Sequence, residues 1–176
     1  LTGLQNGDAK RFLRMFWEHP LLDSPWTRVQ NSADEGALHR GLTQSLYWQD
    51  GDGDLAKHSS AVLRGRRAWG RRGIAVNRMG KILKATTYSG AIFDQNVAAI
   101  IPVRPDDEAP LLAFCMSEDF SEAVRALDNK AGVTPGTLKE VRLDLEHWRR
   151  VAEERWPGGL PEPWSDDPTQ WLFEGR

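Results

Sequence analysis

Residues 64–84 hold eight cations and no carboxylate: Arg64, Arg66, Arg67, Arg71, Arg72, Arg78, Lys81 and Lys84. Such a set makes a local positive field whose natural partner is phosphate. Arginine dominates, and its planar fork grips guanine edges as well as phosphate oxygens. Trp69 stands between Arg67 and Arg71, where an indole can stack on a base or wedge a base step. Gly65, Gly70 and Gly73 permit close backbone approach. The competing reading is a basic face salt-bridged to acidic helices, with Trp69 in the core.

Patterns that would carry catalysis fail one by one. Asp50, Asp52 and Asp54 resemble the start of an EF-hand loop, but Leu55 replaces the required Gly and Ala61 the bidentate Glu. His19, His39, His58 and His147 are isolated, and the single Cys115 makes no zinc cluster. Asp106, Asp128 and Lys130 follow the residue order of a metal-dependent nuclease. Asp106 falls in an acidic loop and Asp128 at a helix end, however, not on a core strand. Gly51-x-Gly53 is flanked by acids that repel phosphate, and no strand–turn–helix surrounds it. No Pro-Pro dipeptide occurs, so the Asp/Asn-Pro-Pro-aromatic loop of amino-methyltransferases is absent from these residues. No metal, cofactor or catalytic residue is assigned.

The 176 residues balance 23 Lys and Arg against 25 Asp and Glu, for a net charge of −2. That total hides a split. Residues 1–105 carry 15 basic and 9 acidic side chains, whereas residues 106–176 carry 8 and 16. Charge asymmetry of this kind points to nucleic acid or membrane. No apolar run is long enough to span a bilayer. One cysteine and no secretory leader fit a reducing cytoplasm. A start at Leu1 and a stop just after Trp171-Leu172-Phe173 fit a piece of a larger protein.

The elements expected to position the cations are mixed. Residues 8–18 show helical spacing of Phe12, Met15 and Phe16 behind an Asp8 cap. Pro20 and Pro25 then break the chain, and 27–44 lacks a period. A short strand is expected over 45–49, closed by a turn at 50–54. Two strands, 73–78 and 82–88, are expected around a turn at Met79-Gly80, and a third over 98–103. In the acidic half, Ser117 caps a helix with Phe120, Ala123, Val124 and Leu127 inward, and Asp144 caps another over 145–156. The result is an α+β fold: a twisted β-rich part within 1–105, then acidic helices and a Pro/Trp-rich tail over 106–176, packed as one domain. Phe12, Phe114, Phe120, Trp148 and Trp156 are assigned to cores.

Several blocks resemble a known family. Gly3-Leu4-Gln5-Asn6-Gly7-Asp8 with Arg11-Phe12-Leu13-Arg14 and Trp17-Glu18 is similar to the junction after the catalytic domain of large class I N6-adenine DNA methyltransferases. These include the BREX- and DISARM-like phage-defence enzymes and type II restriction-modification relatives. Ala68-Trp69-Gly70-x-x-Gly73-Ile74-Ala75-Val76, Tyr88-Ser89-Gly90-x-x-Phe93-Asp94-x-Asn96-Val97 and Ile100-Ile101-Pro102 resemble their target-recognition region. Helices beginning Ala113-Phe114-Cys115 and Asp144-Leu145, and the tail Leu160-Pro161-Glu162-Pro163-Trp164, extend the likeness. It departs at Asn6, where Thr is usual, and at 31–36, where a Lys-Gly-Gly-rich segment is usual.

The resemblance implies a sequence-reading DNA-binding domain with no turnover of its own. S-adenosylmethionine would be bound, and a flipped adenine methylated, by the catalytic domain of the same parent chain. Double-stranded DNA, that catalytic domain and other defence-system proteins are the expected partners. Arg64, Arg66, Arg67, Arg71 and Arg72 are the candidates for phosphate and guanine, Trp69 for stacking, and Arg78, Lys81 and Lys84 for phosphate. Tyr88, Gln95 and Asn96 are candidates to place polar groups near the groove, with turn capping the alternative role of Asn96. The rival classes are a protein-interaction module of a defence complex and a Mg²⁺ nuclease using Asp106, Asp128 and Lys130.

Overall fold

The structure is a computed structural model that describes residues 1–19, 25–33 and 37–170. Pro20, the 34–36 part of the departing segment and the Trp171-Leu172-Phe173 cluster lie outside the described residues. The order is α1 (Ala9–Phe12), β1 (Leu13–Met15), β2 (Trp26–Gln30), β3 (Gln44–Tyr47), α2 (Asp54–Lys57), β4 (Gly73–Asn77), β5 (Ala85–Tyr88), β6 (Ile92–Phe93) and β7 (Val97–Ile100). Then come α3 (Glu108–Cys115), α4 (Glu118–Leu127), α5 (Pro135–Glu140) and α6 (Leu145–Arg155). The fold is α+β.

Two sheets form. One runs β1-β3-β2-β6, antiparallel except for the parallel β2–β6 pair, and the other is the antiparallel β5-β4-β7. The two-residue period of β4 divides the core. Ile74 and Val76 join Leu83, Ala85 and the buried faces of α3, α4 and α6 in one cluster. Ala75, between them, points to a second cluster with Ala68, Tyr88, Phe93, Val97 and Ala99. A third cluster, around Leu4, Phe12, Val29, Leu46 and Leu55, fills the first sheet. The β5-β4-β7 sheet is thus buried on both faces.

Three sequence expectations are corrected. The 8–18 helix is one turn long: Asp8 caps it by accepting from Arg11 N–H at 3.1 Å, but Leu13 is already extended at φ −117°, ψ 143°. Leu13, Arg14 and Met15 then pair with Leu46, Ser45 and Gln44. A lone turn of helix is poorly stable, and strand pairing satisfies the same backbone groups. The aperiodic 27–44 stretch contains most of β2, whose Val29 and Gln30 are both buried where β6 adds to the sheet beside them. The third concerns α3, which ends, rather than begins, at Ala113-Phe114-Cys115. Pro110, Leu112, Ala113, Phe114 and Cys115 are all buried, and burial all round leaves no amphipathic stripe to recognise.

Other elements agree with their sequence signals. Ser117 Oγ accepts from Phe120 N–H at 3.2 Å, and Asp144 Oδ1 from His147 N–H at 3.0 Å. Phe120 and Val124 face inward, but Leu127 is 54 % exposed. Ser121 Oγ accepts from Leu83 N–H at 3.1 Å, both groups being buried, and so ties α4 to the β4–β5 connection. Ser121→Ala would leave that N–H without a partner. It is expected to cost about 1–3 kcal/mol in urea unfolding, without loss of helix signal.

Candidate nucleic-acid interface

The cations divide according to how the turn before β4 is built. Ala68 N–H donates to Gly65 O at 2.8 Å, and Arg71 N–H to Ala68 O at 3.1 Å. Gly70 N–H donates to Gly90 O at 2.8 Å, which straps this turn to the β5–β6 connection. Gly65 sits at φ +83°, and a Cβ there would meet the Phe93 ring at 2.6 Å. Gly90 sits at φ +94°, and its Cβ would lie 2.8 Å from Arg71 N. These two glycines admit other parts of the same chain.

Ala68 is fully buried, and Trp69 is half-buried against both the first-sheet cluster and the Tyr88–Phe93 cluster. The Trp69 ring meets Trp48 edge-on, with centroids 5.4 Å apart, and Arg66 lies over its face at 5.5 Å. Its indole N–H is buried without a partner. Packed against both clusters, the half-buried ring would have to leave them to act as a wedge.

With Ala68 and Trp69 inward, Arg64, Arg66, Arg67 and Arg71 are left exposed. None of the four forms a salt bridge among the described residues. Arg72, also exposed, lies 3.5 Å from both Glu108 and Glu162. Arg78 instead braces the fold, with its Nε donating to Val133 O at 2.7 Å and its Nη1 to Gln95 O at 2.6 Å. Burial and the nearby Arg64 charge lower its pKa. It is removed from the phosphate candidates. Tyr88 is corrected as well, being 1 % exposed with its hydroxyl donating to Ala91 O at 2.5 Å. Burial raises the Tyr88 pKa.

Lys81 and Lys84 face a separate groove of about 520 Å³ with Arg125, Arg155, Glu118 and Glu122. Gln95 uses its backbone, with N–H donating to Leu4 O at 2.8 Å and the carbonyl accepting from Arg78. Asn96 is exposed, and its N–H donates to Asp94 Oδ1 at 2.8 Å in a local turn. Sequence reasoning missed Arg125, whose guanidinium donates to the carbonyls of Gly80, Lys81, Asp128 and Lys130. Nothing in its helical spacing marks it, since its partners are backbone oxygens of the distant 80–81 turn and of the loop that follows its own helix.

The acidic tail supplies part of the counter-charge. His39 Nε2 lies 3.0 Å from Pro161 O, and its Nδ1 2.8 Å from Thr87 Oγ1. Glu162 reaches Arg72, and Asp167 pairs with Arg28 at 3.1 Å. Desolvation raises the Glu108 pKa, an effect that Arg72 opposes. Trp164 stays 40 % exposed. Asp106 meets Arg104 at 3.8 Å, while Asp128 caps its own turn by accepting from Lys130 N–H at 3.0 Å. Asp54 pairs with Arg11 at 2.7 Å. Among the described residues, no group of three or more His, Cys, Asp and Glu side chains is placed to hold a metal ion.

Arg78→Met removes two charge-assisted bonds at a partly exposed site. It is expected to lower unfolding stability by about 1–3 kcal/mol, while Arg71→Met stays within about 0.5 kcal/mol. Parallel urea curves check the contrast. His39 gives a pH test. Burial lowers its folded-state pKa, so its contribution is complete above the unfolded value of about 6.5 and is lost as pH falls from there through the lowered folded value. Tm measured between about pH 7 and 5.5 should fall in the wild type and flatten in His39→Gln. No known family model matches this chain, and no curated protein matches it in sequence.

Proposed function

We propose that this chain is the target-recognition domain of an S-adenosylmethionine-dependent N6-adenine DNA methyltransferase, of the BREX/DISARM-like phage-defence or the type II restriction-modification kind. It binds double-stranded DNA in the cytoplasm and has no turnover of its own. S-adenosylmethionine and the methylated base belong to the catalytic domain of the parent chain. One observation carries the reading: Arg64, Arg66, Arg67 and Arg71 stand exposed, without carboxylate partners among the described residues, on a turn packed against two cores. A positive field left uncompensated by the protein's own acids suits a polyanion, and the family likeness names which one. Arg72, Lys81 and Lys84 lie beside acids and rank below these four.

An interaction role is the second reading, favoured by Met79, Ile82 and Leu127, each more than half exposed. Within the first reading, that patch meets the catalytic domain or another defence-system protein, since it lies on the β4–β5 connection and the end of α4, away from the four arginines in sequence.

The test is duplex binding across a salt series. Four phosphate contacts give a log–log slope of about −3.6, and each single Arg→Ala change among Arg64, Arg66, Arg67 and Arg71 should reduce it by about 1. Replacing all four by Ala should abolish binding while leaving the Tm in place. Failure to bind any duplex at low salt rejects the proposal, and salt-independent capture of a protein partner favours the second reading.

A further inference from the structure

Beside Arg67 and Arg71 the surface opens into a cavity of about 390 Å³. Its apolar lining comes from Leu1, from Ala98–Ile101 at the end of β7, and from Pro135 and Leu138 of α5. Its polar side chains are Arg67, Arg71 and Lys139, all cationic and exposed. Among the described residues no carboxylate lines it. The groove beside Lys84, in contrast, includes Glu118 and Glu122, and the one beside Arg72 includes Glu108 and Glu162. This cavity therefore joins an apolar floor to cations that no lining carboxylate neutralises, which suits a ligand with one anionic end and one flat apolar part.

We propose that the cavity receives one unstacked nucleotide of the bound DNA, its phosphate held by Arg67, Arg71 and Lys139 and its base laid on Ile101, Pro135 and Leu138. The inference deepens the recognition reading and rests on it, because two of the three cations are the arginines already assigned to the duplex. The volume is in the range of small-ligand sites. The cations at the opening keep a phosphate within reach of water, while the floor takes the base. Among the described residues no neutral hydrogen-bonding side chain lines the cavity, so the base is held by packing and is not read by its edge. Any of the four bases should therefore be accepted. The site is prepared in advance on the protein side: Arg67 and Arg71 project from a turn fixed by Ala68 and by the Gly70–Gly90 hydrogen bond.

The experiment compares a fully paired duplex with the same duplex carrying one extrahelical nucleotide, by fluorescence anisotropy with the full chain. The bulged duplex should bind about tenfold tighter, the scale of one base packed on a protein surface. The gain should vary little among the four bulged bases. Leu138→Trp, which fills the cavity without adding charge, should erase the preference and leave paired-duplex affinity within about twofold. Lys139→Ala, at an exposed position, should reduce the preference without lowering the Tm, which guards against misfolding of the Trp variant. Equal affinity for the two duplexes, or a preference that survives Leu138→Trp in a folded variant, overturns the cavity assignment and leaves the recognition reading standing. Failure to bind either duplex overturns both.

Discussion

The anchoring of Ala68 and Trp69 is the contact on which the arrangement of the arginines depends. Trp69 touches two cores at once, one through Trp48 just after β3 and one through the cluster of Tyr88 and Phe93. Its neighbours in sequence are forced outward, because a short turn that buries two successive residues has no room left for a guanidinium. The Gly70–Gly90 hydrogen bond and the glycine at 65 allow the turn to close against Phe93. Side-chain entropy still opposes binding through arginine, but the backbone beneath Arg66, Arg67 and Arg71 is ordered beforehand. Ala68 and Trp69, held inward, thereby set the direction of the residues on either side of them.

Charge is distributed by the same logic. A guanidinium can be satisfied by carboxylates or by several carbonyl oxygens, and the chain uses both. Arg78 and Arg125 are committed to backbone carbonyls, where they fasten Val133, Gln95, Gly80 and Lys130. Arg72 and Arg28 are matched by acids of the tail. Arg64, Arg66, Arg67 and Arg71 form no salt bridge among the described residues, and the Arg64 charge adds to burial in lowering the pKa of Arg78. The near-neutral total of −2 thus includes a run of four exposed arginines between 64 and 71.

How much of this is legible in the sequence depends on whether the signal is local. The alternation Ile74-Ala75-Val76 marks β4 because its faces meet different cores, and Ser117 and Asp144 mark helix starts because capping is chemistry within one turn. Residues 13–15 look helical in sequence because their strand partner lies some thirty positions away at 44–46. α3 is hidden by burial on all sides. The site follows the same rule. That the 64–72 turn is basic can be counted, but whether Arg78 or Arg71 faces water depends on Val133 and Gln95, brought close only by the fold. Tyr88 illustrates the converse, since a phenol suited to a groove is equally suited to a core with one carbonyl in reach.

The sheet order explains why the exposed arginines and the apolar cavity fall where they do. In β5-β4-β7 the central strand has helices on one face and the Tyr88–Phe93 cluster on the other, so neither face can present side chains to a ligand. The β5 edge is covered by Leu38, whose carbonyl accepts from Thr87 N–H at 2.8 Å and from the Thr86 and Thr87 hydroxyls. Part of the β7 edge is engaged by Leu1 through Ala99. Beyond those contacts, the sheet offers the turn that enters β4 and the end of β7 at Ile100 and Ile101. Arg67 and Arg71 stand at the first, the apolar cavity opens at the second, and both lie at the same end because β4 and β7 run antiparallel, with Ile74 opposite Ile100. A sheet buried on both faces can recognise a ligand only where its strands end, and here one such end combines cations with an apolar floor.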